Sequence, residues 1–398
     1  MPPDLKRASL FADRNSTSHA IQRRKFASSY SMSSIVGYEK FVNNCTSLLG
    51  QRFSEIALSG KTIDFQHWLQ CYAFDVIGEI TFSNRFGFLD LGEDVDGVFH
   101  AIDNRGLYAT LAGVFPWCHA WIAPRLPKTG GQGYILNYTA RQIEDRQRIL
   151  KDPKDSGRIG PPDIMTKILM AHEENPNKVT RMDIFSICQS NIGAGSDTTA
   201  ITLSSIFYHL LAHPYSYNRL QAEIDTAAKD GRISDPVTFQ EAQQQLPYLQ
   251  AVIKEALRIH PATGLPMSRV VPAEGCTIAG RFIPGGSTVG INAWVAHRNT
   301  SVYGADADSW RPERWFEIEQ DGRGAEVEKY SFAFGMGSRT CIGKNISLLE
   351  MSKLVPQLLR RFNFALDDSV PRNGLQSLNR WFVKQQNFKG KVYARGKN

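Results

Sequence analysis

No stretch of about 18 apolar residues occurs in this 398-residue chain, so nothing in it reads as a bilayer-spanning helix. Cysteine is scarce. Cys45, Cys71, Cys118, Cys188, Cys276 and Cys341 stand far apart, with no C-x-x-C pair and no histidine cluster at zinc spacing. A zinc module and a disulfide scaffold are therefore excluded. No secretory signal opens the chain, whose start Met1-Pro2-Pro3-Asp4 is polar. The expectation is an intracellular, reducing compartment with free thiols, five of them buried structural residues. Neither sign of charge is in large excess: 46 Lys+Arg against 39 Asp+Glu leave a net +7. Its densest clusters are Arg23-Arg24-Lys25 and the tail Lys389, Lys391, Arg395 and Lys397. They read as solvated surface, or as a face for an acidic redox partner or an anionic membrane. No basic stripe interleaved with aromatics occurs, which argues against nucleic-acid binding. Repeats and low-complexity tracts are absent too.

What is present is an ordinary folded composition, 42% apolar and 21% charged. The chain is long enough for a large core and a bulky cofactor. Its first half reads helical, with a three-to-four apolar period over Phe65 to Ile80. Leu111 to Leu126, rich in Trp, Phe and Pro, reads as a buried connector. The stretch from Lys151 to Asp163 reads as an exposed loop. Thr180 and Asp183 form a helix start signal, and nothing stops that helix before His213-Pro214. It spans about 32 residues, or roughly 48 Å. Asp235-Pro236 opens another segment, and Leu246-Pro247 precedes a further helix. From Ser268 to Val295, short β-branched runs alternate with Gly and Pro and read as a small sheet. A nearly strandless stretch leads to Cys341. Ser347 to Phe362 reads as helix and Trp381 to Phe388 as a hairpin. The fold class is mainly α with a minor β-sheet region.

Three patterns carry chemistry. Phe334-Gly335-Met336-Gly337-Ser338-Arg339-Thr340-Cys341-Ile342-Gly343 fits F-x-x-G-x-R-x-C-x-G at every fixed position. A thiolate that binds iron needs donors aimed at its sulfur and shelter from solvent. Gly337 and Gly343 permit the tight backbone, Phe334 shields the sulfur, and Arg339 suits an anionic group. The bland alternative is a Gly-rich turn that happens to hold a cysteine. Glu255 and Arg258 lie three apart on one helix face; alone they would read as a surface pair. Ala194-Gly195-Ser196-Asp197-Thr198-Thr199 sits mid-way along the long helix. Gly193 and Gly195 there each cost about 1 kcal/mol relative to Ala. They allow close approach of a flat group, or simply of another helix.

The Cys341 loop resembles the haem-binding signature of the cytochrome P-450 family, and the other patterns follow in that family's order. The resemblance runs from about His19 to Phe388. It implies a cytochrome P-450 fold, one domain over 1–398, haem b and Cys341 as axial iron ligand. A thiolate ligand pushes electron density toward iron and favours O–O cleavage. It assigns Ala194 and Gly195 to the cofactor face, Thr198 to the iron–dioxygen unit and Asp197 to proton relay. Arg314, in Pro312-Glu313-Arg314-Trp315, completes a structural network with Glu255 and Arg258. His19, Arg23 and Arg269 are implied propionate contacts. Thr263, Leu265, Pro266, Met267 and Ser190 are implied substrate-pocket residues.

The implied activity is insertion of one oxygen atom from O2 into an apolar small molecule. Electrons come from NADPH through a separate reductase, with cytochrome b5 as an additional candidate donor. The expected location is the cytosolic face of the endoplasmic reticulum membrane. Pro312 to Trp315, Arg269 to Pro272 and His297-Arg298-Asn299 resemble fungal pisatin-demethylase-like, secondary-metabolite enzymes. In the family a substantial segment precedes the His19 motif, with an anchor, a hinge and the first helices and strands. The expectation is that this chain lacks it. Two rivals stay open: a non-catalytic relic, and a reductase-independent haem-thiolate isomerase or dehydratase.

Overall fold

The computed structural model describes residues 10–122, 125, 130–151 and 162–396. The polar start, most of the expected loop between Lys151 and Asp163, and Lys397 lie outside the described residues.

The N-terminal half is helical. It holds α1 (Ser16–Phe26), α2 (Met32–Gly37), α3 (Glu39–Ser59), α4 (Phe65–Phe82), α5 (Phe88–Leu91), α6 (Val98–Val114), α7 (Pro116–Ile122), α8 (Gly130–Lys151) and α9 (Ile164–Glu174). Asn15 caps α1 by accepting from the Ser18 N–H, and Arg23, Arg24 and Lys25 complement its C-terminal dipole. Next come α10 (Arg181–Ala212), α11 (Pro214–Lys229), α12 (Phe239–Gln245) and α13 (Pro247–Ile259). Helix α10 has the length the sequence gives it. Thr180 and Asp183 form a reciprocal capping box at its start. Pro214, which has no N–H, takes the first turn of α11 and ends α10 at Ala212.

Two short hairpin-like sheets follow, β2 (Met267–Val270) with β5 (Thr288–Ile291), and β3 (Cys276–Ile278) with β4 (Arg281–Ile283). The stretch before Cys341 holds the short helices α14 (Ala293–Ala296), α15 (Thr300–Tyr303), α16 (Arg314–Gln320) and α17 (Gly324–Glu328) and a single 3-10 turn at Gly337–Arg339. Helix α18 (Lys344–Arg361) follows the cysteine loop, starting three residues before the expected Ser347. Phe362 is no longer helical but opens strand β6 (Phe362–Leu366). It pairs antiparallel with β9 (Lys389–Ala394), which also pairs with β1 (Ile63–Asp64). The C-terminal hairpin is β7 (Ser377–Arg380) with β8 (Phe382–Gln385). It starts earlier than expected because Trp381 is its turn residue, with φ of 73°.

One buried cluster runs from Phe26 to Val392, with α10 at its centre. A Leu or Ile buried there contributes about 1.5–3 kcal/mol. A smaller cluster of Val302, Tyr303, Ala307, Ile318 and Val327 sits under the meandering stretch.

Two expectations are corrected. The Leu111–Leu126 connector is helical through Ile122, and Leu111, Val114, Phe115, Trp117, Trp121 and Ile122 are exposed. Apolar composition there does not mean burial. Cys45, Cys71 and Cys188 are buried, but Cys118 and Cys276 are only partly so. All six thiols are free. Among the described residues no helix is long and apolar enough to cross a membrane.

Candidate functional site

The Phe334–Gly343 loop is closed by the Cys341 N–H donating to the Phe334 carbonyl at 2.8 Å. Gly335 and Gly337 both hold φ of 66°, a left-handed conformation that a side chain would strain. The sequence reading named Gly337 for this reason and passed over Gly335. Backbone N–H groups of Gly343 and Lys344, at the start of α18, point at the Cys341 thiol, and Arg23 and Lys344 add positive potential. Burial is nevertheless the largest influence and holds the thiol above its ordinary range. Although crowded by neighbouring atoms, Cys341 is exposed to solvent on one side, and its sulfur is supplied with donors and short of one cation. That is the environment in which a bound metal ion deprotonates a thiol.

Basic groups of the N-terminal segment meet this loop. Arg23 of α1 donates to the Thr340 carbonyl at 2.7 Å, and Arg339 donates to the Asp13 carbonyl at 2.6 Å. His19 is buried beside them; burial first, then Arg339 and Arg23, push its pKa down, against a smaller upward pull from Asp13. Arg269 is exposed on β2 and donates only to the Ser268 carbonyl. Among the described residues no carboxylate pairs with Arg23, Arg269 or Arg339. Cations without carboxylates beside the thiol loop fit a group that carries its own carboxylates.

The middle of α10 supplies the facing surface. Helix α10 is largely buried, yet Gly193 and Ala194 are exposed and a Cβ added at Gly193 would meet open space. This part of α10 lies close to the cysteine loop. Tyr30 donates to Asn191 of α10, and its carbonyl accepts from Asn345 of α18. Thr199 also meets Ser347 at 3.1 Å. Gly195 is a correction: its missing Cβ would lie 2.9 Å from Ile77 of α4. Its smallness serves the α4–α10 crossing rather than the open face.

Thr198 is partly exposed, and its hydroxyl donates to the Ala194 carbonyl at 2.8 Å. Ser196 and Thr202 bond back four residues in the same way, and the helix stays continuous through Gly193 and Gly195. Asp197, expected to act beside Thr198, is 1% exposed and faces the other way. It accepts from Gln70 at 2.7 Å and pairs with Lys384 at 3.1 Å. Burial raises its pKa, opposed by Lys384. It touches α4 and β8, not the open face.

The 262–269 run borders the same space. Met267 lies 3.6 Å from where a Cβ on Gly335 would sit, so this strand start meets the cysteine loop. Thr263 is bridged to Phe382 of β8. Leu265 is partly buried, Pro266 exposed, and Ser190 partly buried on α10.

Below, Glu255, Arg258 and Arg314 meet as one buried network. The Glu255 carboxylate accepts from Arg258 at 2.8 and 2.9 Å, Arg314 at 3.0 Å, the Arg311 N–H at 2.9 Å and Trp315 at 3.0 Å. Both guanidiniums also hold carbonyls of the strandless stretch: Arg258 those of His297, Ala307 and Ser309, Arg314 those of Tyr303, Asp306 and Ser309. The network clamps the chain that leads into the cysteine loop. The sequence reading gave His297 no role in the site. Its Nδ1 sits 3.0 Å from the Arg258 carbonyl, and its Nε2 accepts from the Phe332 N–H at 2.8 Å. It straps α13 to the loop as a neutral imidazole. Gln70, Asp103 and Lys384 around Asp197 were missed as well.

Comparison with known proteins agrees with this geometry. The family model for cytochrome P450 matches residues 3–389. A cytochrome P450 monooxygenase of Aspergillus terreus is 39% identical over 360 residues, covering 89% of this chain and 73% of that protein. Cytochrome P450 monooxygenase cicH of Emericella nidulans is 39% identical over 389 residues, covering 97% and 77%. Pisatin demethylase of Fusarium vanettenii is 38% identical over 383 residues, covering 95% and 72%. A cysteine loop whose thiol receives backbone N–H groups, cations beside it that lack carboxylate partners among the described residues, and a family match over nearly the whole chain lead to one statement: this chain belongs to the cytochrome P450 family.

Proposed function

We propose that this protein is a haem-thiolate monooxygenase that inserts one oxygen atom from O2 into an apolar small molecule, in fungal secondary metabolism or detoxification. The observation that carries the reading is the Cys341 thiol, which receives the Gly343 and Lys344 N–H groups beside guanidiniums that lack carboxylate partners among the described residues. Cys341 would hold haem iron, and His19, Arg23, Arg269 and Arg339 would hold its propionates. Phe334 would pack beside the sulfur when haem is bound, and Gly337 shapes the loop. When bound, haem supplies the redox chemistry that activates dioxygen.

The chain's own residues do the rest. Gly193 and Ala194 leave room along α10. Thr198 presents a hydroxyl beside that opening, held by the Ala194 carbonyl. Asp197, one residue away and out of contact with bulk water, is the group we assign to proton relay, its proton affinity raised by burial against the pull of Lys384. Thr263, Leu265 and Met267 give an apolar wall that orients the substrate and excludes water. The Glu255, Arg258 and Arg314 network keeps the loop in register. The continuous core supports reading 1–398 as one domain. The reading includes haem b, NADPH electrons through a separate reductase, cytochrome b5 as a further donor, and the endoplasmic reticulum membrane as location. The relative named pisatin demethylase makes oxidative demethylation one of the reactions to seek.

The test is turnover. Haem-loaded protein, a fungal reductase and NADPH are incubated with apolar plant and fungal aromatics under isotopically labelled dioxygen. One labelled oxygen in a product, or loss of a methyl group, is expected, and neither with Cys341→Ala. Product formed without reductase and without label would favour the isomerase or dehydratase reading.

A further inference from the structure

Strand β8 reaches into the molecule between α10, α13 and α6. It is fixed there: the Val383 N–H donates to the Ala262 carbonyl at 2.9 Å, and Gln385 donates to the Ile201 carbonyl at 3.0 Å. Helix α6 rests directly on this hairpin, since a Cβ added at Gly106 would lie 2.6 Å from the Arg380 carbonyl. At this junction Lys384 meets two carboxylates. One is Asp197 of α10, at 3.1 Å, and the other is Asp103 of α6. Side-chain exposure falls from 37% at Asp103 to 11% at Lys384 and 2% at Asp197.

We propose that Lys384 is a positioning residue whose one ammonium is shared between Asp103 and Asp197, so that the placement of α6 sets whether Asp197 holds a proton. The proposal rests on the proton role assigned to Asp197 above. Two carboxylates and one ammonium carry a net charge of −1 when all are ionised. Away from water that excess favours uptake of one proton, which forms an O–H bond on a carboxylate and leaves the cluster neutral. With α6 in place, Asp103 competes for Lys384 and raises the proton affinity of Asp197. With α6 lifted, Lys384 neutralises Asp197 alone, and the proton leaves to solvent. The groups facing Asp197 are Lys384 from β8, Asp103 from α6 and the uncharged Gln70 from α4. The same two acids face Lys384.

The two charged partners make opposite predictions, which packing alone would not. Infrared spectra of the haem-loaded protein, with aspartate isotopically labelled, follow the protonated-carboxyl band that Asp197→Asn removes. Asp103→Asn is expected to move the titration of that band to lower pH by about one unit or more, the size of effect a nearby charge exerts on a carboxylate. Lys384→Met is expected to move it to higher pH, and Lys384→Arg to restore the parent value. If Lys384→Met does not fold, Asp103→Asn decides by itself. An unchanged titration in Asp103→Asn, or shifts of the same sign in both, would overturn the proposal. If the band shifts as expected but the pH profile of turnover does not follow, the charge sharing stands and the proton role of Asp197 falls.

Discussion

Replacing Glu255 by Ala should unfold much of this protein under mild conditions. The Glu255 side chain is fully buried and accepts five hydrogen bonds, three of them from the guanidiniums of Arg258 and Arg314. Those two side chains are 2% and 1% exposed. Removing the carboxylate leaves two buried cations without their shared anion. Breaking one buried pair costs about 3–5 kcal/mol. The carbonyls that also hold the guanidiniums soften the loss but cannot neutralise it. A loss of about 5 kcal/mol is therefore expected, against a total stability of roughly 5–15 kcal/mol for a native protein. At about 1.4 kcal/mol per tenfold, the unfolded fraction rises between about three and four orders of magnitude. Urea unfolding followed by circular dichroism measures it directly. A loss below about 1 kcal/mol would show that the network is not what holds the 297–315 stretch, and the reasoning would fail.

Other expectations follow from single sites. Gly195→Val should cost about 1–3 kcal/mol by overpacking against Ile77, whereas Gly193→Ala, facing open space, should be neutral or stabilising; thermal unfolding of both separates crossing from open face. Glu350 is fully buried on α18 with neither oxygen bonded, and burial holds its pKa well above the ordinary range. The folded state then binds more protons than the unfolded one above pH about 4.5, so this residue costs stability as pH rises. Glu350→Met should raise the melting temperature at pH 7, and a fall would refute the assignment. His260 and His297 are pushed down to about 4 by burial. Between about pH 6.5 and 4 the unfolded chain binds more protons, so stability should drop through that window as pH falls, by up to about 3 kcal/mol per histidine. A urea midpoint that does not change from pH 7 to 4.5 would contradict this.

What the sequence revealed was local. The capping box at Thr180 and the stop at Pro214 lie within a few residues of the ends they fix. The cysteine loop is ten consecutive residues, and Glu255 and Arg258 are one helical turn apart. Arg314 came from family order, not from spacing. What stayed hidden depends on distant partners. Lys384 lies 281 residues from Asp103, and Gln70 lies 127 from Asp197, so no window along the chain joins them. Asp197 and Thr198 are neighbours in sequence but turn to different sides of α10, which only packing against α4 decides. Gly195 looked like a cofactor position because glycine serves a flat ligand and a helix crossing equally well. The aromatic stretch after Leu111 looked like core because composition records hydrophobicity, not what covers it.

The most direct measurement is the carbon-monoxide difference spectrum of the reduced, haem-loaded protein beside Cys341→Ala, with folding of both checked by circular dichroism. A strongly red-shifted Soret band in the parent, absent from the variant, is expected and would establish Cys341 as the thiolate ligand. The same band in the variant, or none in a folded parent, would contradict it.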